Sequence, residues 1–84
     1  MNDIPFVTTE TSLAAYLIIS GFTLLKIQYE PRSNGKQRGI FIFQNAPDIE
    51  GFKDRFENGQ PSYNYPKFNE VKSGLLDRIM KGLP

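Results

Sequence analysis

The sequence predicts an α+β domain of order β-α-β-β-α-α, built on a three-stranded mixed sheet of order 1-3-2 with its helices packed mainly on one face. Three observations carry this. Apolar residues recur at helical spacing near residues 13–18, alternate with polar ones from Leu25 to Glu30, and return to helical spacing after Ile49. Ile40-Phe41-Ile42-Phe43 is apolar throughout, which suits a central strand covered on both sides, or covered on one side and used for binding on the other. A length of 84 residues fits one domain, 1–84, and leaves no room for a second core.

Each element has a local reason. Phe6-Val7-Thr8 is β-prone, and Pro5 suits the start of a strand, where a missing N–H costs little. Thr8, Thr9 and Thr11 offer N-cap oxygens for a helix over about residues 11–20, in which Leu13, Ala14, Leu17 and Ile18 share a side before Gly21 ends the run. From Phe22 to Glu30 the period is two, with Leu25, Ile27 and Tyr29 on one face and Lys26, Gln28 and Glu30 on the other. Pro31 to Gly35 contains an Asn-Gly pair and reads as a long hairpin loop leading to the apolar strand 40–43. Asn45, Pro47 and Asp48 then signal a helix start, and Ile49, Phe52 and Phe56 form its buried stripe up to Asn58-Gly59. Residues 60–66 read as a loop with two prolines and two tyrosines. The last helix carries Phe68, Val71, Leu75 and Ile79, with Leu76 beside them and Gly74 as a weak point. A right-handed crossover through the first helix makes the first two strands parallel and leaves the slot between them for the antiparallel third.

Composition excludes much chemistry. The chain has neither Cys nor His, so it offers no thiolate, no disulfide, no cysteine-based metal site and no imidazole base. No catalytic, cofactor-binding or metal-binding residue is expected, and the domain is expected not to be an enzyme. Asp48, Glu50, Asp54 and Glu57 run along the second helix, but the adjacent Lys53 and Arg55 make a solvated charged surface the simpler reading. Gly35-Lys36 lacks the spacing of a phosphate-binding loop. The opening residues carry no basic and apolar leader pattern, and the longest apolar stretch is too short for a bilayer, so a cytoplasmic location without membrane contact is expected.

Three surfaces remain as candidates. Ten Lys and Arg oppose nine Asp and Glu, for a net charge of +1, and the one local excess is Arg32, Lys36 and Arg38 at the hairpin. That trio could hold a nucleic-acid backbone, although three charges give only weak, salt-sensitive contact. Ile40 and Ile42 could dock a protein partner through a sheet face the helices leave open. Their neighbours Phe41 and Phe43 are expected in the core rather than stacked on bases, as the rings of an RNA-recognition motif would be. Tyr63 and Tyr65, set between prolines, could anchor an interface or pack back onto the helices.

The pattern Phe6-x-Thr8-Thr9, Leu13-Ala14-Ala15-Tyr16-Leu17, Gly21-Phe22, Phe41-x-Phe43, Phe56-x-Asn58-Gly59 and Leu76-Asp77-Arg78-Ile79 resembles a family of small uncharacterised bacterial proteins, a domain of unknown function met in phages and plasmids. The resemblance implies a mobile-element setting, in which a small protein of this kind acts by binding. The expected function is protein–protein interaction, as an inhibitor of a host or defence factor. The alternative is an accessory nucleic-acid binder using Arg32, Lys36 and Arg38, and either is compatible with a homodimer through the open face.

Overall fold

The computed structural model of the protein describes residues 4–31, 37–59 and 63–81. The elements are β1 (Phe6–Thr8), α1 (Thr11–Ile19), β2 (Leu24–Pro31), β3 (Gln37–Phe43), α2 (Ile49–Glu57) and α3 (Tyr65–Lys81), in the expected order. The strands lie in the order β1-β3-β2, and both hydrogen-bonded pairs are antiparallel. The sheet is therefore antiparallel throughout and not mixed as expected: β1 and β2 do run parallel to each other, but β3 separates them, so no parallel pair is hydrogen-bonded.

Register fixes which side chains share a face. Phe6 pairs with Phe43 and Val7 with Ile42, while on the other side Ile27 pairs with Phe41 and Gln28 with Ile40. Phe6, Ile27, Phe41 and Phe43 therefore point the same way, and all are buried beneath the helices. The expected alternation of β2 holds from Lys26 onward and breaks at Leu25. Leu24 pairs with Phe43 and Lys26 with Ile42, so Leu25 is an extra residue in a β-bulge. The bulge turns Leu24 toward the core and leaves Leu25 in solvent at 55% exposure, although its spacing from Ile27 suggests burial.

Helix α1 is more central than a one-sided stripe allows. Five consecutive residues, Leu13 to Leu17, are buried, because the sheet, α2 and α3 surround the helix. Ala14 and Ala15 supply the small side chains that such crowding requires. No threonine caps it: Glu10 is the N-cap residue without a side-chain bond, and Thr8 Oγ1 instead accepts the Glu10 N–H at 3.1 Å. The C-terminus closes as the sequence suggests. Gly21 sits at φ +102°, its N–H donates to the Ile18 carbonyl, and the Phe22 N–H donates to the Leu17 carbonyl at 3.0 Å, a Schellman pair.

The other two helices depart from expectation at their starts. In α2 the N-cap Asp48 makes no side-chain bond, and Asn45 and Pro47 precede the helix without capping it. Helix α3 begins at Tyr65, within the segment read as loop, because Asn64 caps it: Asn64 Oδ1 accepts the Lys67 N–H at 2.9 Å. Pro66 then falls in the first turn, where an absent N–H leaves no bond unmade. Phe68 and Leu75 are buried, and Val71 and Ile79 pack against the same core.

Helix α3 comes against the sheet at Gly39, opposite Tyr29 on the helix-covered face. A Cβ there would lie 2.6 Å from Ile79 Cδ1 and 2.8 Å from Ile79 Cγ1. The glycine makes room for a side chain from another element. In urea unfolding, Gly39→Ala is expected to cost about 1–3 kcal/mol by overpacking, and most of that cost should vanish in an Ile79→Ala background. Gly74 has the opposite character. It is an exposed helical position, and a methyl added there would meet nothing within 4 Å beyond the backbone of its own helix. Gly74→Ala should therefore stabilise the domain by roughly 0.5–1 kcal/mol, read as a higher denaturant midpoint at unchanged slope.

Candidate functional site

The helices cover the Phe41/Phe43 side, and among the described residues no element covers the other face of the sheet. Its central row is Val7, Ile42 and Lys26, side by side across β1, β3 and β2. The next row holds Ile40 and Gln28, and beyond it Arg38 lies opposite Glu30. Val7 is 52% exposed, Leu25 projects from the bulge nearby, and Ile40 and Ile42 are half-buried by their neighbours on the sheet. The centre of the face is thus apolar and one end is charged. Arg38 approaches Glu30 at 3.9 Å between exposed side chains, a contact that contributes little to stability and leaves both groups available.

The predicted residues Ile40 and Ile42 stand together on this face. Arg38 shares it, whereas Arg32 and Lys36 lie outside the described residues, so the basic trio is placed at one position only. Val7 and Leu25 complete the apolar patch and are absent from the candidates that the sequence suggests. Val7 was open to inference from its alternation with Phe6. Leu25 was not, because a bulge leaves no mark in a period-two pattern.

Tyr63 and Tyr65 lie elsewhere, at the junction of the helices. Tyr16 of α1 is the centre of an aromatic cluster, with ring centroids 6.0 Å from Phe52, 5.4 Å from Phe56 and 5.6 Å from Tyr63. Tyr63 also meets Phe68 at 4.7 Å, so it packs back onto the helices rather than serving as a free anchor. Tyr65 is different. It leans on Tyr63 at 4.7 Å but remains 64% exposed, and so is the member of the pair open to a partner.

The charged helix faces show ordinary surface pairing. Lys53 meets Glu57 at 3.6 Å and Lys81 meets Asp77 at 3.2 Å, each one turn apart. Arg55 lies over the Phe52 ring at 5.0 Å. Among the described residues no three Asp or Glu side chains converge as a metal site would require, and no helix is long and apolar enough to cross a membrane.

A family model described as a domain of unknown function, DUF5659, matches residues 4–80 and so spans all six elements. The chain belongs to the DUF5659 family. No curated protein and no solved structure matches it at a significant level. Membership of DUF5659 agrees with the resemblance drawn from the sequence as far as a domain of unknown function goes.

The tyrosine corner has a measurable signature. Partial burial pushes the Tyr63 phenol above its ordinary value of 10.0, and the neighbouring Tyr65, through its charge and a hydrogen bond, adds to the shift together with Tyr16. The folded state favours the neutral phenol. Its contribution to stability is complete below about pH 10 and is lost as the pH rises through the higher folded value. Carbon-detected titration of the ring should show Tyr63 ionising at higher pH than a model tyrosine, and Tyr65→Phe should lower its value without restoring it fully.

Proposed function

We propose that this domain is a non-enzymatic binding module that docks on a protein partner through the bare face of its sheet. The observation that carries the reading is the outward set of an alternating strand: Phe41 and Phe43 have no exposure, yet Ile40 and Ile42 beside them are also apolar and face away from every helix. A solvated antiparallel face normally carries polar residues. Here Val7, Leu25, Ile40 and Ile42 form a continuous apolar centre, rimmed by Lys26, Gln28, Glu30 and Arg38, which is the layout of a protein interface. Val7 and Leu25, each more than half exposed, gain the fold little by being apolar.

In the mobile-element setting implied by the resemblance, the partner is a host or defence factor whose action the domain blocks. The nucleic-acid alternative has less on its side. The rings that would stack on bases are turned into the core, and Arg38 shares its end of the face with Glu30.

The test is comparative. Proteins retained from a host extract by the wild-type domain should be lost with Ile42→Lys and kept with Arg38→Ala, while circular dichroism shows both variants folded. Retention that is indifferent to Ile42→Lys would remove the sheet face as the docking surface. A gel shift with single-stranded or duplex DNA or RNA at low salt, lost in the Arg32→Ala/Lys36→Ala/Arg38→Ala variant, would decide for the alternative.

A further inference from the structure

The outer edge of β2 is a second surface, distinct from the bare face. Among the described residues no strand pairs with it, since the sheet ends at β2. An unpaired edge of this kind presents backbone donors and acceptors that invite another strand. The regular part of the edge is short and sharply bounded. The bulge at Leu25 interrupts it on one side, and Pro31, which has no N–H, ends it on the other. What remains is Lys26-Ile27-Gln28-Tyr29-Glu30, centred on Gln28.

That pentapeptide is complementary to itself. We infer that β2 pairs with β2 of a second copy of this chain, antiparallel and about a two-fold axis at Gln28, joining two three-stranded sheets into one of six strands. In this register Lys26 of each copy lies opposite Glu30 of the other, and Ile27 lies opposite Tyr29, an aliphatic–aromatic pair on the helix side. The neighbouring registers that keep both bare faces on one side fail on charge. Centring on Lys26 or on Glu30 sets like charges against each other, centring on Ile27 sets Lys26 against Gln28, and centring on Tyr29 sets Glu30 against Gln28 and carries Lys26 past Pro31, so none of these pairs the opposite charges. Lys26, Gln28 and Glu30 reach solvent, so the strand is open to the approach on its bare side. The two-fold axis stands normal to the sheet, so both apolar patches emerge on the same side. A contact of five residues a side is small, and the dimer is one of modest affinity.

The inference does not depend on docking through the bare face, and charge reversal separates the two. Sedimentation of the full chain over a range from micromolar to millimolar should show a monomer–dimer equilibrium. Lys26→Glu alone and Glu30→Lys alone each replace two attractive pairs by two repulsive ones, and each should weaken the dimer by about tenfold or more. An equimolar mixture of these two variants should form a heterodimer, because the acidic edge of one then meets the basic edge of the other. The doubly substituted Lys26→Glu/Glu30→Lys chain should also dimerise with itself. Formation of the heterodimer shows that both single variants are folded and that the pairing is the one described. A wild-type chain that stays monomeric at millimolar concentration overturns the inference. So does a dimer that withstands both single variants, or one abolished only by Ile42→Lys, which would place the contact on the bare face.

Discussion

Two phenylalanines in the middle strand, Phe41 and Phe43, decide which side of the sheet is inside. Consecutive side chains on a strand point to opposite faces, so once these rings are sealed beneath the helices, Ile40 and Ile42 must point the other way whatever their polarity. The partner strands inherit the same division through the register: Phe6 and Ile27 follow the phenylalanines, and Val7 and Lys26 follow the isoleucines. Burial of a phenylalanine side chain is worth about 1.5–3 kcal/mol, so a slip of one residue in β3 would forfeit much of what makes so small a domain stable. The apolar bare face is thus a by-product of geometry in its position, but not in its composition. Polar residues at 40 and 42 would have kept the same alternation.

Helix α1 is the second organising element, because it touches every layer. Its buried run from Leu13 to Leu17 fills the space between the sheet and the other two helices, and Tyr16 carries that contact outward into the aromatic cluster with Phe52, Phe56 and Tyr63. Aromatic pairs of this kind add to the plain burial of their area. Gly39 is the matching concession on the sheet side, giving up a side chain so that Ile79 of α3 can reach the strand.

The element order, the 1-3-2 topology and the inward set of Phe41 and Phe43 were legible in the sequence, because each follows from hydrophobic period and from the handedness of one crossover. What escaped was local. The bulge at Leu25 depends on how β2 and β3 align, which no single strand records. The start of α3 was hidden because Pro61 and Pro66 suggest a loop, although Asn64 two residues before Pro66 is a cap with the right side chain at the right place. The threonines before α1 misled in the other direction: three good capping residues are present, and the one that bonds, Thr8, serves the turn. On the candidate site, Ile40 and Ile42 were readable from alternation alone, whereas the partition of Tyr63 inward and Tyr65 outward required the neighbouring helices.

The three-residue length of β1 gives the sheet an uneven lifetime. β2 and β3 are consecutive strands paired along their whole extent, while β1 is held only across Phe6–Thr8. Detaching β1 breaks few backbone bonds and frees one large ring, Phe6, so the strand can open without the hairpin. Amide protons of β3 that face β1 should then exchange by way of this small local event, ahead of those that face β2. Val7 leaves with β1 in each opening, so the apolar patch has a permanent half on the hairpin and a fluctuating half on the first strand.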